Sequence, residues 1–181
     1  YLNVQDRLGD LARVLTAVDA PQRFVFSGTY DLPFFRDTRG VTKTLLHGWQ
    51  LNAIATWQSG LPIGTPGGAV PTGVDPAFSG SERSRDRWFN TCTTNLQGVR
   101  QNCASASVTP AFTVQAPFTL RTLSTRFPNI RTARPGILDF SVFKAFYPRE
   151  GLRLEFRAES FNAFNTPWFG APNTTLGSAA F

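Results

Sequence analysis

A chain of 181 residues, 41% of them hydrophobic, can bury a sizeable single core. Its 17 Phe, 15 Gly and 13 Pro favour β structure joined by long loops. A membrane-spanning helix is excluded, because the longest charge-free run, Thr44 to Val74, is broken by His47, Gln50, Asn52 and Gln58, whereas a spanning helix needs roughly 20 mostly apolar residues. Short alternating strands escape that exclusion. The net charge of +6 raises nucleic acid as a partner. The arginines at 83, 85, 87, 100, 121, 126, 131 and 134, however, sit among scattered rather than interleaved aromatics, with no RRM, KH or zinc-finger pattern, so no nucleic-acid partner is expected.

In chain order, Leu8, Leu11, Val14, Leu15 and Val18 have the spacing of a short amphipathic helix, stopped at Asp19-Ala-Pro21. The stretch 23–32, RFVFSGTYDL, predicts a strand with Phe24, Phe26, Gly28, Tyr30 and Leu32 on one face. Pro33 ends it, and the polar run Arg36 to Gly40 predicts a turn. A second strand follows over 49–59, WQLNAIATWQS, with Trp49, Leu51, Ala53, Ala55 and Trp57 sharing a face. Its two Trp lie about 26 Å apart along a strand, or roughly 20 Å along a membrane normal at a tilt of about 40°.

From 60 to 135 the alternation dissolves into Gly, Pro, Ser, Thr and Arg, which predicts one very long loop, a suspicious feature inside a compact soluble domain. Strands resume over 137–146, ILDFSVFKAF, and 152–162, LRLEFRAESFN, joined through Tyr147 to Gly151 as a hairpin. In the last of these, Leu152, Leu154, Phe156 and Ala158 form an apolar row and Arg153, Glu155, Arg157 and Glu159 a charged one. The two shorter connections fall on one side of the strands and the long one on the other, the asymmetry of an outer-membrane barrel.

The only cysteines, Cys92 and Cys103, are spaced for a disulfide, with two free thiols as the alternative. Zinc needs more ligands than these two and the sole His, His47, which lies far off in sequence. No nucleophile elbow, P-loop, dinucleotide fingerprint or HExxH motif occurs, so neither catalytic residues nor a cofactor are expected. Glu155 and Glu159 do not make a glycosidase pair, since Arg153 and Arg157 would hold both ionised. The sequon at Asn173 carries weight only in a secretory eukaryote.

Several segments resemble a known family: PQRFVFSGTYDLPF, GWQLNAIATWQSGLPI, RWFNT, RPGILDFSVFKAF and LRLEFRAESFNAFNTPWFGAPNTTLG. They are similar, in order, to the C-terminal part of the barrel in TonB-dependent outer-membrane receptors, specifically the Oar-like branch with a carboxypeptidase-regulatory-like domain. The resemblance implies an all-β fold, antiparallel strands of a partial transmembrane barrel with one very long extracellular loop. It also implies partners: outer-membrane lipid, the rest of the barrel and its plug domain, TonB through a segment outside this sequence, and a scarce ligand whose contacts no motif here identifies.

On that reading Phe24, Phe26, Trp49, Leu51, Trp57, Phe140, Leu152, Leu154 and Phe156 face lipid, and Arg153, Glu155, Arg157 and Glu159 face the lumen. Phe156 is expected within the apolar band and Leu152 near its end. The absence of Met leads to the expectation of a processed or truncated piece of a longer chain. Two other functions compete: a soluble β-sandwich module for carbohydrate, with the apolar rows packed sheet on sheet, and a barrel that serves adhesion.

Overall fold

The structure is a computed structural model, and it describes residues 13–134 and 136–178. In chain order it contains β1 (Arg23–Asp31), α1 (Gly40–Leu46), β2 (Trp49–Gln58), β3 (Pro62–Gly64), β4 (Ala69–Pro71), β5 (Thr93–Thr94), β6 (Arg100–Gln101), β7 (Phe112–Val114), β8 (Arg126–Arg131), β9 (Gly136–Arg149) and β10 (Leu152–Ser160). The chain divides into a sheet unit, Ala20–Ser59 with Arg134–Trp168, and an insert unit, Gly60–Ala133 with segments from both ends of the chain.

The sheet unit is a four-stranded antiparallel meander in the order β1-β2-β9-β10. Alternation makes these strands, and its phase sets their register, because a slip of one residue would turn every apolar side chain to the other face. Phe24 pairs with Trp57 and Tyr30 with Leu51; Ala55 pairs with Leu138 and Leu51 with Val142; Val142 in turn pairs with Ala158. At one end β9 and β10 are joined by the two-residue turn Glu150-Gly151, where Gly151 takes φ +79°, a region open to glycine at little cost. A bulge between Leu152 and Leu154 disturbs the pairing just above that turn. Gly136 serves differently: the indole of Trp57 lies over it, and a Cβ there would meet the ring at 3.1 Å.

Two local expectations need correction. The turn after Pro33 occupies Phe34 to Asp37 instead of the whole polar run, and the chain then forms α1, a helix of 7 residues with no side-chain cap at Arg39. Its seven residues are too few to show a helical period. The amphipathic helix expected around Leu8 to Val18 lies partly outside the described residues. Its described part is not helical: Thr16 to Asp19 forms a turn, closed by the Asp19 N–H donating to the Thr16 carbonyl at 3.2 Å.

The stretch 60–135 is the larger correction. It is a folded insert with two small sheets, β3-β8 and β4-β7-β5-β6, the latter including a parallel pairing of β5 with β7. Ile63, Ala69, Phe89, Ala111, Phe112, Phe127 and Ile130 are buried in one cluster, and Leu176 from the chain's end packs against it. The Phe127 ring lies 5.6 Å from Phe89 and 6.2 Å from Phe112. Arg131 closes the unit by donating to the Asp19 carboxylate at 2.6 Å and to the Gly60 carbonyl at 3.1 Å. Gly60 has to be glycine, because a Cβ there would stand 2.0 Å from the Thr132 carbonyl oxygen. Alternation does not reveal this unit because most of its strands have 2 or 3 residues, fewer than the four the pattern needs, and the six-residue β8, RFPNIR, does not alternate.

Cys92 and Cys103 are joined by a disulfide that spans 11 positions. Cys92 belongs to the buried side of the insert, and the closed loop carries the exposed Arg100. Reduction, or Cys92→Ser with Cys103→Ser, is expected to lower the insert's stability by about 2–3 kcal/mol. Trypsin cleavage after Arg100, timed in urea with and without reductant, measures this; identical midpoints would contradict it.

Candidate functional site, the two faces of the sheet

Register sorts the sheet's side chains into two sets. Phe24, Phe26, Trp49, Leu51, Trp57, Phe140, Leu154 and Phe156 lie on one face, together with Tyr30, Leu138, Val142 and Ala158. Leu152 continues that row beyond the bulge, opposite Arg149. Arg153, Glu155, Arg157 and Glu159 lie on the other face of β10, which β1 and β2 extend through Asp31, Gln50 and Asn52.

The apolar face is not a core. Phe24 is 61% exposed, Trp57 52%, Phe140 36% and Phe156 49%, and the buried hydrophobic cluster belongs wholly to the insert. A sandwich buries such rings beneath a second sheet, whereas these rings are exposed. A soluble protein rarely leaves a contiguous aromatic surface of this kind in water. Rings meet across the strands instead: Phe24 lies 5.8 Å from Trp57, and Trp49 meets Phe156 edge-on at 5.8 Å and 76°.

That contact moves Phe156. It pairs with Lys144, which pairs with Trp49, so all three stand at one level of the sheet near its hairpin end. The middle level, between Trp49 and Trp57, is held by Gly28, Ala53 and Phe140. Phe140 therefore stands at the middle of the band, and Phe156 toward its hairpin end.

Lys144 escaped the sequence reading. It is on the apolar face and only 3% exposed. Its stem runs along the ring row, its ammonium donates to the His47 carbonyl, and it lies 5.0 Å from the Phe146 ring centroid and 5.7 Å from that of Trp49. A carbonyl and two ring faces thus offset the cost of burying the charge. The signal was present, since 144 shares parity with 138, 140 and 142.

The opposite face is hydrogen-bonded within itself. Gln50 donates to Asp31 at 2.9 Å and Thr29 to Asn52 at 2.5 Å, both pairs being register partners. On β10, Arg153 pairs with Glu155 at 2.8 Å and Arg157 with Glu159 at 2.6 Å. The Arg157 guanidinium also covers its cross-strand partner Phe143 at 4.6 Å. These exposed pairs add little stability each, but they present no unbalanced charge and can face water or a polar plug equally well. A groove on this face is lined by Gln50, Asn52, Asp139, Ser141, Arg157 and Glu159. Among the described residues no group of three or more His, Cys, Asp or Glu is placed to hold a metal.

Strand length fits a bilayer. β1 and β10 have 9 residues each and β2 has 10, and nine residues at ~3.3 Å each, tilted about 40°, rise roughly 23 Å, close to the ~25 Å apolar band of outer-membrane barrels. In the sheet, β1 and β10 pair on one side only. An antiparallel meander with one apolar face, one polar face and open edges is a segment of a transmembrane β-barrel. The family model of an outer membrane beta barrel domain matches residues 2–181, and the chain belongs to that family. Its place is the bacterial outer membrane. No curated protein matches the chain, and no solved structure does.

Proposed function

We infer that this chain supplies part of the barrel of a TonB-dependent outer-membrane receptor of the Oar-like branch, which takes up a ligand with energy delivered through TonB, and that it is not an enzyme. The observation that carries the reading is the open aromatic face on one side of the sheet against the self-paired polar face on the other. The resemblance of the segments quoted above supplies the finer assignment. Phe24, Phe26, Leu51, Phe140, Leu154 and Phe156 then lie against acyl chains, with Leu152 at the end of the band. Trp49 and Trp57, at opposite ends of β2, mark the two interfaces. Arg153, Glu155, Arg157 and Glu159 line the lumen beside the plug, and strands from the rest of the protein cover the edges of β1 and β10, since four strands cannot close where natural barrels begin at eight. The insert is the extracellular loop.

The test is capture of the full-length protein, extracted from outer membranes, on immobilised periplasmic domain of TonB. Capture that is lost when the receptor's TonB-contacting segment is deleted supports energised uptake. An intact barrel that is not captured, from cells whose surface adhesion depends on it, favours adhesion instead.

A further inference from the structure

Folding gives three arginines of the insert a ring each. The Arg83 guanidinium lies over Trp88 at 5.1 Å, Arg85 over Phe169 at 5.2 Å and Arg87 over Phe78 at 4.9 Å. Phe78 and Trp88 flank the arginine stretch in sequence and Phe169 comes from a distant segment, all within the insert unit. Among the described residues the ion pairs are Arg131 with Asp19, Arg153 with Glu155 and Arg157 with Glu159, so none takes these three cations. Arg83 donates through Nη2 to the Phe78 carbonyl at 3.4 Å, while its buried Nε has no partner.

Two clefts flank this cluster. One, of about 740 Å³, is lined by Phe78, Arg85, Asp86, Arg87 and Asn102 among others; the second, of about 530 Å³, by Arg83, Arg85, Trp88 and Phe169. Arg85 borders both. Their size is that of small-molecule sites.

From Glu82 to Arg87 the cations outnumber the acids by one. The Glu82 carboxylate is already engaged, accepting from the Ser79 hydroxyl at 2.8 Å and the Ser79 N–H at 3.1 Å, and those bonds hold its pKa below the usual carboxylate value. It stays ionised near Arg87 but is turned to Ser79. Asp86 is the acid that lines the larger cleft.

Stacking uses the flat face of a guanidinium and leaves its N–H edge in the plane, the direction from which a phosphate or carboxylate is held by two parallel hydrogen bonds. The rings also fix the planes in advance, so less side-chain entropy is lost when an anion arrives. The geometry points to an oxyanion-binding site on the insert, formed by Arg83, Arg85 and Arg87 on Trp88, Phe169 and Phe78, which takes a phosphate- or carboxylate-bearing group. The site is independent of whether the barrel transports. Its occupant is either a soluble anionic solute or the phosphate of a lipid headgroup.

The test titrates the full-length protein in detergent with inorganic pyrophosphate at low salt, by calorimetry. Saturable binding is expected, and Arg85→Gln with Arg87→Gln should weaken it at least about tenfold, as loss of charge-assisted hydrogen bonds does. Both residues are exposed, and an unchanged urea midpoint for chymotrypsin cleavage shows that the insert still folds. Arg134→Gln, an exposed arginine outside the cluster, should leave the affinity unaltered. Repeating the titration in nanodiscs with phosphorylated lipid A separates the sources: binding lost there identifies the headgroup as occupant, and binding retained identifies a soluble anion. No saturable heat, equal affinity in the double variant, or equal weakening by Arg134→Gln would overturn the assignment.

Discussion

Phe140→Arg, in the full-length protein folded into bilayers, is expected to cost about 2–4 kcal/mol, while Leu152→Arg costs about 0–1 kcal/mol. The difference arises from depth alone. Phe140 stands level with Gly28 and Ala53, midway between the two tryptophans of β2, whereas Leu152 adjoins the hairpin turn at one end of the sheet. An arginine at the middle has no headgroup or water within reach, whereas one at the end can extend to the interface. Phe156→Arg should fall between the two, because Phe156 is level with Trp49 and Lys144. Denaturant titration of refolding into vesicles gives the three values; equal costs at 140 and 152 would mean that the face does not meet a graded apolar slab.

Phe112→Ala is expected to destabilise the insert by about 3–5 kcal/mol, the range for losing a buried aromatic that its neighbours cannot replace. Phe112 is 1% exposed, sits on β7 between β4 and β5, and packs beside Phe127 in a cluster of only seven buried hydrophobics. A loss of that size approaches the whole stability available to a small unit. The expected result is selective: protease added to intact cells should cut the variant within 60–133, at sites such as Arg100, while the barrel stays heat-resistant on electrophoresis. Wild-type resistance in the variant would show that this cluster does not hold the insert together.

Alternation carried most of the sheet. Residues 23–32, 49–59 and 152–162 read as strands because each keeps its apolar parity for seven or more residues, and the structure ends them within two residues of those limits. For β9 the parity of 138, 140 and 142 was legible, but the strand continues to Arg149, since Tyr147 and Pro148 resemble a turn while still extended in the hairpin. Depth was not legible. Which side chains share a level depends on pairing between strands far apart in sequence, so the level of Phe156 cannot be read from parity alone.

The insert was illegible for a related reason. Ile63, Phe112 and Ile130 sit in short strands without a sustained apolar period, and their cluster exists only after Pro62–Gly64 has met Arg126–Arg131. The same long-range closure brings Phe169 to Arg85, whereas Phe78 lies only 9 positions from Arg87. Cation and ring in these pairs are up to 84 positions apart along the chain, which is why the arginines looked like a solvated basic stretch.

Placement of the sheet in the membrane depends on which of its sides meets acyl chains. The native cysteines are paired with each other, so a single introduced cysteine can be spin-labelled at successive positions from Leu138 to Phe143 in the full-length protein in lipid nanodiscs. The account predicts oxygen accessibility that rises at 138, 140 and 142 and falls at 139, 141 and 143, with a water-soluble nickel reagent showing the opposite phase. Oxygen maxima at 139, 141 and 143, or no alternation at all, would contradict it.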